Sequence, residues 1–134
     1  MTTLTVVVPC YNSADYMRHC IDTLLTGGDD VEILVVDDGS RDATAEIADE
    51  YETRHPGRVR ALHKPNGGHG SAINAGLAVA QGEFIKIVDS DDWVNEDAFS
   101  ALLTQLRTFI AERTVIDMVV SNFVYEKVGK RNKT

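Results

Sequence analysis

Short apolar runs alternate along this chain with segments whose apolar residues recur at helical spacing, and this alternation restricts the fold more than any other feature of the sequence. The runs have the length of buried strands. A strand followed by a helix, repeated several times, is typical of βαβ units with parallel strands. We therefore predict an α/β fold with an open, doubly wound and mainly parallel sheet, similar to the Rossmann architecture.

The apolar runs and the residues that start or stop helices locate the predicted elements. Strands are predicted at residues 4–9, 31–36, 58–63, 83–88 and 115–125. The third strand alternates apolar and polar residues and is expected nearer an edge of the sheet. Helices are predicted to follow the first four strands, and the third helix covers residues 71–80. The predicted N-caps are Asn12 or Ser13, Ser40 or Asp42, and Asn95.

Length and charge restrict the function. A chain of 134 residues with 43% hydrophobic residues suits one soluble domain. A formal net charge of −8 argues against non-specific nucleic-acid binding, so a phosphorylated ligand would need a cation. Cys10 and Cys20 are expected to be core residues in a reducing compartment. Because no apolar run has the length of a signal peptide or membrane span, the chain is predicted to be cytoplasmic.

Three carboxylates, those of Asp89, Asp91 and Asp92, follow the fourth predicted strand at once. Carboxylates this close repel one another unless something neutralises them. Hard oxygen ligands on a turn suit Mg²⁺ or Mn²⁺, which would explain the cluster. The alternative is that these aspartates cap the next helix. Asn95 already suits that cap, which favours the metal interpretation.

A second acidic pair, Asp37 and Asp38, follows the second predicted strand in "ILVVDDGS". The carboxyl ends of parallel strands meet at one edge, so both acidic clusters are candidates for one site. An aspartate there can accept hydrogen bonds from a ribose hydroxyl or a base N–H. "DDGS" is equally a good tight turn, in which Gly39 takes a positive φ and Ser40 caps a helix. The sequence leaves both interpretations open.

The segment "KPNGGHG" is a glycine-rich loop before the third predicted helix. It lacks the third glycine of a dinucleotide-binding fingerprint, where Ile73 stands instead, and it follows the third strand rather than the first. Close backbone approach to a ligand is one use of such a loop, and a mobile turn is the other. His69 is predicted to be a solvated or hydrogen-bonding group rather than a base. Trp93 is predicted to pack under the acidic loop.

Taken together, "TVVVPCYNSADYMRHCIDTLL", "EILVVDDGSRDAT" and "NGGHGSAINAGLAVAQGEFIKIVDSDD" resemble, in this order, the family 2 glycosyltransferases, which use nucleotide sugars and have the GT-A fold. The likeness runs from residue 4 to about residue 97. One departure is Ile73, where family members often have an arginine that could contact a diphosphate. A second departure is "NGGHGS" in place of the commoner "NGGxSxA".

The resemblance implies a donor site for a nucleotide sugar, most simply a UDP-sugar. It implies that Asp37 contacts the uracil or ribose and that the loop from Lys64 to Gly68 closes over the base. Asp89 and Asp91 fall on the D-x-D motif, with Asp91 or Asp92 meeting the metal that bridges the diphosphate. The implied nucleotide-binding residues are Pro9, Tyr11, Asn12, Asp37, Lys64, Gly68, Asp89 and Ser90, and the implied Mn²⁺ or Mg²⁺ ligands are Asp89, Asp91 and Asp92.

The resemblance also implies inverting transfer of the sugar to an acceptor hydroxyl, as in cell-wall or polysaccharide synthesis. The carboxylate base and the site for a saccharide or lipid-linked acceptor are expected downstream of this chain, in a longer protein that could sit peripherally at the inner membrane face. Residues 1–126 are then the donor-binding domain, and residues 127–134 a basic tail or a truncation point. A non-catalytic module that binds nucleotide sugars is the alternative.

Overall fold

The computed structural model describes residues 1–113 and 125–127, with the backbone alone for the latter three. Strands and helices alternate over most of this length, as predicted. The strands are β1 (Leu4–Cys10), β2 (Val31–Asp38), β3 (Val59–Lys64), β4 (Phe84–Ile87), β5 (Asp92–Val94) and β6 (Tyr125–Lys127). The helices are α1 (Met17–Leu25), α2 (Thr44–Arg54), α3 (His69–Val79) and α4 (Glu96–Ala111).

Four parallel strands form the main sheet in the order β3-β2-β1-β4. The central strands β1 and β2 are buried along their whole length, which explains why each contains an uninterrupted apolar run instead of an alternating pattern. β3 lies at an edge of this sheet, as its alternating pattern predicted. The predicted α/β class and the mainly parallel sheet are confirmed.

Helices cover both faces of the sheet and produce two apolar cores. On one face Val6, Val8 and Ile33 pack with residues from α1, α2 and α4. On the other face Val7 and Leu34 pack with Ala72 of α3. Side chains alternate between the two faces of a strand, so neighbours in sequence belong to different cores. The sheet is therefore doubly wound.

Helix α3 lies unusually close to β1. A Cβ atom added at Gly76 would lie 2.6 Å from Cγ1 of Val7, so only glycine allows this approach. The small residues of α3 therefore bring the N-terminal end of the helix close to the carboxyl edge of the sheet.

Helix starts differ from the predictions in three places. α1 begins at Met17 without a side-chain cap, because Asn12 and Ser13 form an earlier turn in which the Ser13 carbonyl accepts the N–H of Tyr16. α3 begins at His69, two residues before the predicted start. For α2, the N-cap position is held by Ala43 and not by Ser40 or Asp42, although the Asp42 carboxylate accepts the first helical N–H, that of Thr44, at 2.9 Å. Ser40 instead accepts the N–H of Asn12.

The end of the described chain shows one confirmed and one unexpected feature. Asn95 caps α4, and its Oδ1 accepts the N–H of Ala98 at 3.0 Å. The unexpected feature is β5, which pairs antiparallel with β6 where the sequence predicted only a loop. Of the predicted strand at 115–125, all but Tyr125 lies outside the described residues.

Two predictions about side chains and helix length can be compared with the structure. Cys10 and Cys20 are both buried and not joined in a disulfide, as expected for core residues. In the described residues, every helix is too short or too polar to span a bilayer.

Candidate functional site

A cleft of about 230 Å³ opens at the carboxyl edge of the sheet, between the end of β1, the end of β2 and the start of α3. This is where ligands bind in open α/β sheets. Its lining combines apolar residues with polar and charged ones. The lining residues are Pro9, Cys10, Tyr11, Asp38, Asn66, Gly68, His69 and Ala72.

Asp38 holds the glycine-rich loop over this cleft. Its carboxylate accepts the backbone N–H groups of Gly67 and Gly68, each at 2.9 Å, and the ammonium of Lys64 at 2.8 Å. Burial disfavours the charged carboxylate, but the lysine and the two amides outweigh burial and lower the pKa of Asp38. The loop is thus fixed to the end of β2 by a buried anion.

The "DDGS" segment forms the turn that its sequence predicted. Gly39 has a φ of +70°, and a Cβ atom there would lie 2.6 Å from the backbone nitrogen of Asn66. Asp37 Oδ1 accepts the N–H of Ser40 at 3.0 Å and closes the turn. A side chain at position 39 would therefore push the glycine-rich loop away from the cleft.

Asp37 points to the opposite face of the sheet from Asp38. Its Oδ2 lies 3.1 Å from Nδ1 of His63, and Nε2 of that histidine lies 2.7 Å from Oδ1 of Asp49 on α2. Hydrogen bonds to Asp49 and Asp37 favour the imidazolium form and raise the pKa of His63. Asp37 does not line the cleft, although its interactions stabilise the turn that does.

Asn12 joins the turn after β1 to the turn after β2. Its N–H donates to Ser40 Oγ at 2.9 Å, and its Oδ1 accepts the N–H of Arg41 at 2.8 Å. The backbone of Asn12 has a φ of 49°, in the left-handed region that asparagine tolerates better than most residues. Neighbouring Tyr11 is half exposed and reaches the cleft.

The three aspartates after β4 form the candidate metal centre. Carboxylate oxygens of Asp89, Asp91 and Asp92 lie within 4.8 Å of one another. Asp92 is buried and the other two are half-buried, so the group is open to ligands on one side. An all-carboxylate donor set of this kind fits Mg²⁺ or Mn²⁺. Because Asn95 caps α4, helix capping does not account for the triad.

Ser90 lies inside this acidic turn and contacts the turn after β1. Its Oγ lies 2.7 Å from Oγ of Ser13, and both residues are buried. The thiol of Cys20 is 3.7 Å from the Asp89 carbonyl oxygen. These contacts fix the acidic turn against α1 and the turn after β1.

Two aromatic residues border the acidic turn. His69 lines the cleft, and its Nε2 lies 3.4 Å from Oδ1 of Asp89, so it stands between the cleft and the triad. Trp93 and His19 of α1 make a T-shaped ring contact, with 4.5 Å between ring centroids. The contact with α1 agrees with the predicted packing role of Trp93.

The predicted site residues fall into three groups in the structure. Pro9, Tyr11 and Gly68 line the cleft, and Asp89, Asp91 and Asp92 form the triad. Asn12, Asp37, Lys64 and Ser90 instead support the turns around the cleft through the contacts described above.

Sequence reasoning did not select several residues that line the cleft, namely Cys10, Asp38, Asn66, His69 and Ala72. Asn66 lies within the loop expected to close over a base, so its place in that loop could have identified it as a cleft residue. For Asp38 the clue is that successive side chains of a strand point to opposite faces of the sheet. Only one of two adjacent aspartates can therefore face the cleft. Cys10 was predicted only as a core residue, and in the structure it is buried and also lines the cleft.

The doubly wound sheet, the cleft at its carboxyl edge and the adjoining acidic triad define a ligand-binding α/β domain suited to nucleotides. The sequence identifies it further. The sequence profile described as Glycosyl transferase family 2 matches residues 5–132, and the chain belongs to this family.

Comparison with individual proteins supports the assignment. The uncharacterised glycosyltransferase EpsJ of Bacillus subtilis (strain 168) is 36% identical over 129 residues, which are 96% of this chain and 36% of EpsJ. TarS 1–349 of S. aureus in complex with UDP-GlcNAc superimposes with a TM-score of 0.70 at 29% identity, over 90% of this chain and 37% of TarS 1–349. The mannosyltransferase PcManGT of Pyrobaculum calidifontis, in complex with GDP-Man and Mn²⁺, gives a TM-score of 0.66 at 28% identity, over 75% of this chain and 31% of PcManGT.

These similarities cover the chain but only part of the relatives. The chain spans a little over a third of the length of EpsJ and of TarS 1–349. The predicted GT-A fold and family membership are confirmed over the matched residues.

Proposed function

We propose that this chain is the donor-binding domain of a metal-dependent glycosyltransferase that uses a UDP-sugar, and that residues 1–126 make up this domain. The observation that carries the proposal is that the cleft adjoins the acidic triad. His69 lines the cleft, and its Nε2 lies 3.4 Å from Oδ1 of Asp89 in the triad. A ligand with a nucleoside at one end and a diphosphate at the other matches this arrangement. The UDP-GlcNAc bound to TarS and the GDP-Man bound to PcManGT support the choice of ligand class.

The nucleoside is proposed to lie in the cleft. Pro9 and Tyr11 offer an apolar wall and a half-exposed ring on which a base can pack. Gly68 lets the loop backbone approach the ligand closely. Asp38 faces the cleft, whereas Asp37 is engaged by His63, so we propose Asp38 as the acidic residue nearest the nucleoside. Asn12, Asp37, Lys64 and Ser90 act by holding these elements in place.

The triad is proposed to hold Mn²⁺ or Mg²⁺ through Asp89, Asp91 and Asp92. When bound, such a cation offsets the charge of the donor and of the leaving diphosphate. The protein's own part is to hold three carboxylates at one edge of the sheet despite their repulsion. β5 and the contact of Cys20 with the Asp89 carbonyl oxygen fix that turn. The net charge of −8 favours a cation as a partner for an anionic donor.

We place the general base and the acceptor site in the part of the longer relatives that this chain does not span. Inverting transfer needs a carboxylate that removes the proton of the acceptor hydroxyl as the sugar moves. The acceptor class we propose for the whole protein is a saccharide or a lipid-linked saccharide.

Titration calorimetry with UDP tests the donor site. We expect UDP to bind in the presence of Mn²⁺ and about tenfold or more weakly in EDTA, because the cation adds charge-assisted contacts. Asp91→Asn should remove most of the metal dependence. Asp29→Asn, which changes a fully exposed carboxylate on the loop before β2, is the matched control and should bind UDP normally. Failure of the wild-type chain to bind millimolar UDP with Mn²⁺ would reject the proposal.

A second candidate is a non-catalytic module that binds nucleotide sugars, because the cleft and the triad account for donor binding alone. Hydrolysis of UDP-sugars distinguishes the two. A catalytic domain should release UDP slowly with Mn²⁺ present, and Asp91→Asn should abolish the release. A binding module should bind UDP-sugars without turnover, both alone and within the longer protein.

A further inference from the structure

The proposed function gives His69 no contact of its own with the donor. His69 is the first residue of α3 and lines the cleft, and its Nε2 is 3.4 Å from Oδ1 of Asp89. Its side chain is 61% exposed, so it is accessible to a ligand. A molecule that extends from the cleft to the triad must pass this imidazole.

Two other basic groups near the cleft, those of Lys64 and His63, are engaged by protein partners. The ammonium of Lys64 donates to Asp38 at 2.8 Å and to the Pro65 carbonyl oxygen at 2.7 Å. Both ring nitrogens of His63 are held by Asp37 and Asp49. Among the residues described as lining the cleft, His69 is thus the basic side chain whose single carboxylate contact is long enough to be exchanged for a ligand.

The backbone at this point also suits an anion. Gly68 precedes α3 with a φ of 98° and provides no side-chain cap, so the first N–H groups of this helix have no side-chain acceptor at its N-cap. The positive end of the helix dipole reinforces a hydrogen-bond donor at position 69. This feature adds to the argument from the cleft and the triad and does not replace it.

We infer that His69 contacts the diphosphate of the donor, donating an imidazole N–H to a non-bridging phosphate oxygen in place of its contact with Asp89. The inference rests on the proposed function and deepens it, because it names a residue that contacts the diphosphate of the donor and not its nucleoside. The N–H is present in the neutral ring as well as in the imidazolium, so the contact does not depend on protonation.

The test compares uridine with UDP on three forms of the chain: wild type, His69→Ala and His69→Gln. We expect His69→Ala to weaken UDP binding about tenfold and to leave uridine binding within about twofold, because the lost contact is a charge-assisted hydrogen bond to phosphate. His69→Gln keeps an N–H donor and should recover most of the UDP affinity. His55→Ala changes a histidine that stacks on Tyr51, and should bind both ligands like wild type.

Repeating the titrations in EDTA separates direct contact from positioning of Asp89. A direct contact predicts that the ratio of wild-type to His69→Ala affinity for UDP persists without metal. Loss of that ratio, an equal loss of uridine binding or unchanged UDP binding by His69→Ala would each overturn the inference while the donor site stands. If the wild-type chain binds neither uridine nor UDP, the proposed function and the inference both fail.

Discussion

At the scale of single residues, the two adjacent aspartates at the end of β2 have different partners, because successive side chains of a strand point to opposite faces of the sheet. Asp37 is opposite His63 in the register of β2 and β3, and Asp38 is opposite Lys64. Each aspartate therefore has a basic cross-strand neighbour on its own face. One pair stabilises the face covered by α2, and the other fixes the loop over the cleft.

Asp38→Asn should destabilise the chain and weaken its affinity for uridine. The amide cannot balance the Lys64 ammonium, whose side chain is only 19% exposed, and it accepts fewer bonds from Gly67 and Gly68. Leaving a mostly buried charge without its partner costs about 3 kcal/mol. Urea denaturation measures this free energy of unfolding. Asp29→Asn, at a fully exposed carboxylate, should stay within about 0.5 kcal/mol of wild type. Equal stability of the two variants would contradict the role given to Asp38.

His63 should make stability depend on pH near neutrality. Its pKa is raised in the folded chain by Asp49 and Asp37, so the folded state holds the proton more tightly than the unfolded state. This stabilisation is complete below the unfolded pKa of about 6.5 and is lost as pH rises through the folded pKa. The free energy of unfolding should therefore fall as pH rises above about 6.5 and through the folded pKa, and His63→Gln should flatten this slope.

The control for His63 is His55→Gln, which changes a half-buried histidine at the end of α2 that stacks on Tyr51. It should retain the wild-type slope, whereas Asp49→Asn should reduce it because one of the two carboxylate partners is gone. An unchanged slope in His63→Gln would show that other groups set this pH dependence.

At the scale of elements, α3 contains an interior glycine, Gly76, although glycine has a low helix propensity. Gly76→Ala should destabilise the chain by about 1–3 kcal/mol, because the new Cβ would lie 2.6 Å from Cγ1 of Val7 in a packed core. The gain in helix propensity, about 1 kcal/mol, is smaller than this overpacking. Gly70→Ala in the same helix has open space around the new Cβ and should be neutral or stabilising. Thermal unfolding of both variants checks the contrast, and a stabilised Gly76→Ala would refute the close packing.

The elements that the sequence predicted well are those determined by their own residues. The continuous apolar runs of β1 and β2 indicated buried strands, and the cap of α4 at Asn95 is satisfied locally. The predictions that were wrong depend on distant partners. Asn12 does not cap α1 because Ser40 and Arg41, almost thirty residues away, bind its backbone and side chain. β5 forms against β6, more than thirty residues later, and its short sequence gives no signal of that pairing.

The features of the candidate site also separate into those that the local sequence predicted and those that depend on distant partners. Its location followed from the rule that loops gather at the carboxyl ends of parallel strands, and the three triad residues followed from their spacing. Which of Asp37 and Asp38 faces the cleft did not follow, because the facing depends on how β2 sits between α2 and α3. The place of His69 beside Asp89 also depends on the approach of α3 to the sheet, which Gly76 permits.

At the scale of the whole molecule, the acidic composition and the paired carboxylates together predict the stability at low pH. Hydrogen bonds and ion pairs lower the pKa of several carboxyls in the folded chain, led by Arg107 at Asp30 and Arg18 at Glu50. At Asp38 and Asp42 the same bonding outweighs the opposing effect of burial. Each lowered pKa gives stability that is present above the unfolded value and is lost as pH falls through the folded one.

The free energy of unfolding should therefore fall steeply below about pH 4, where unfolded carboxyls begin to bind protons that the folded chain resists. Above this range, His63 and the repulsion within a chain of net charge −8 lower stability as pH rises, so the maximum should lie near pH 5–6. Urea denaturation from pH 3 to pH 8.5 measures the profile. Arg107→Gln removes the guanidinium that lies 2.6 Å from Asp30, so its stability should fall less steeply with acid than that of wild type. An acid slope equal to that of wild type would mean that the Arg107 pair does not contribute to acid sensitivity, and that the loss of stability comes from carboxyls elsewhere in the sheet and its loops.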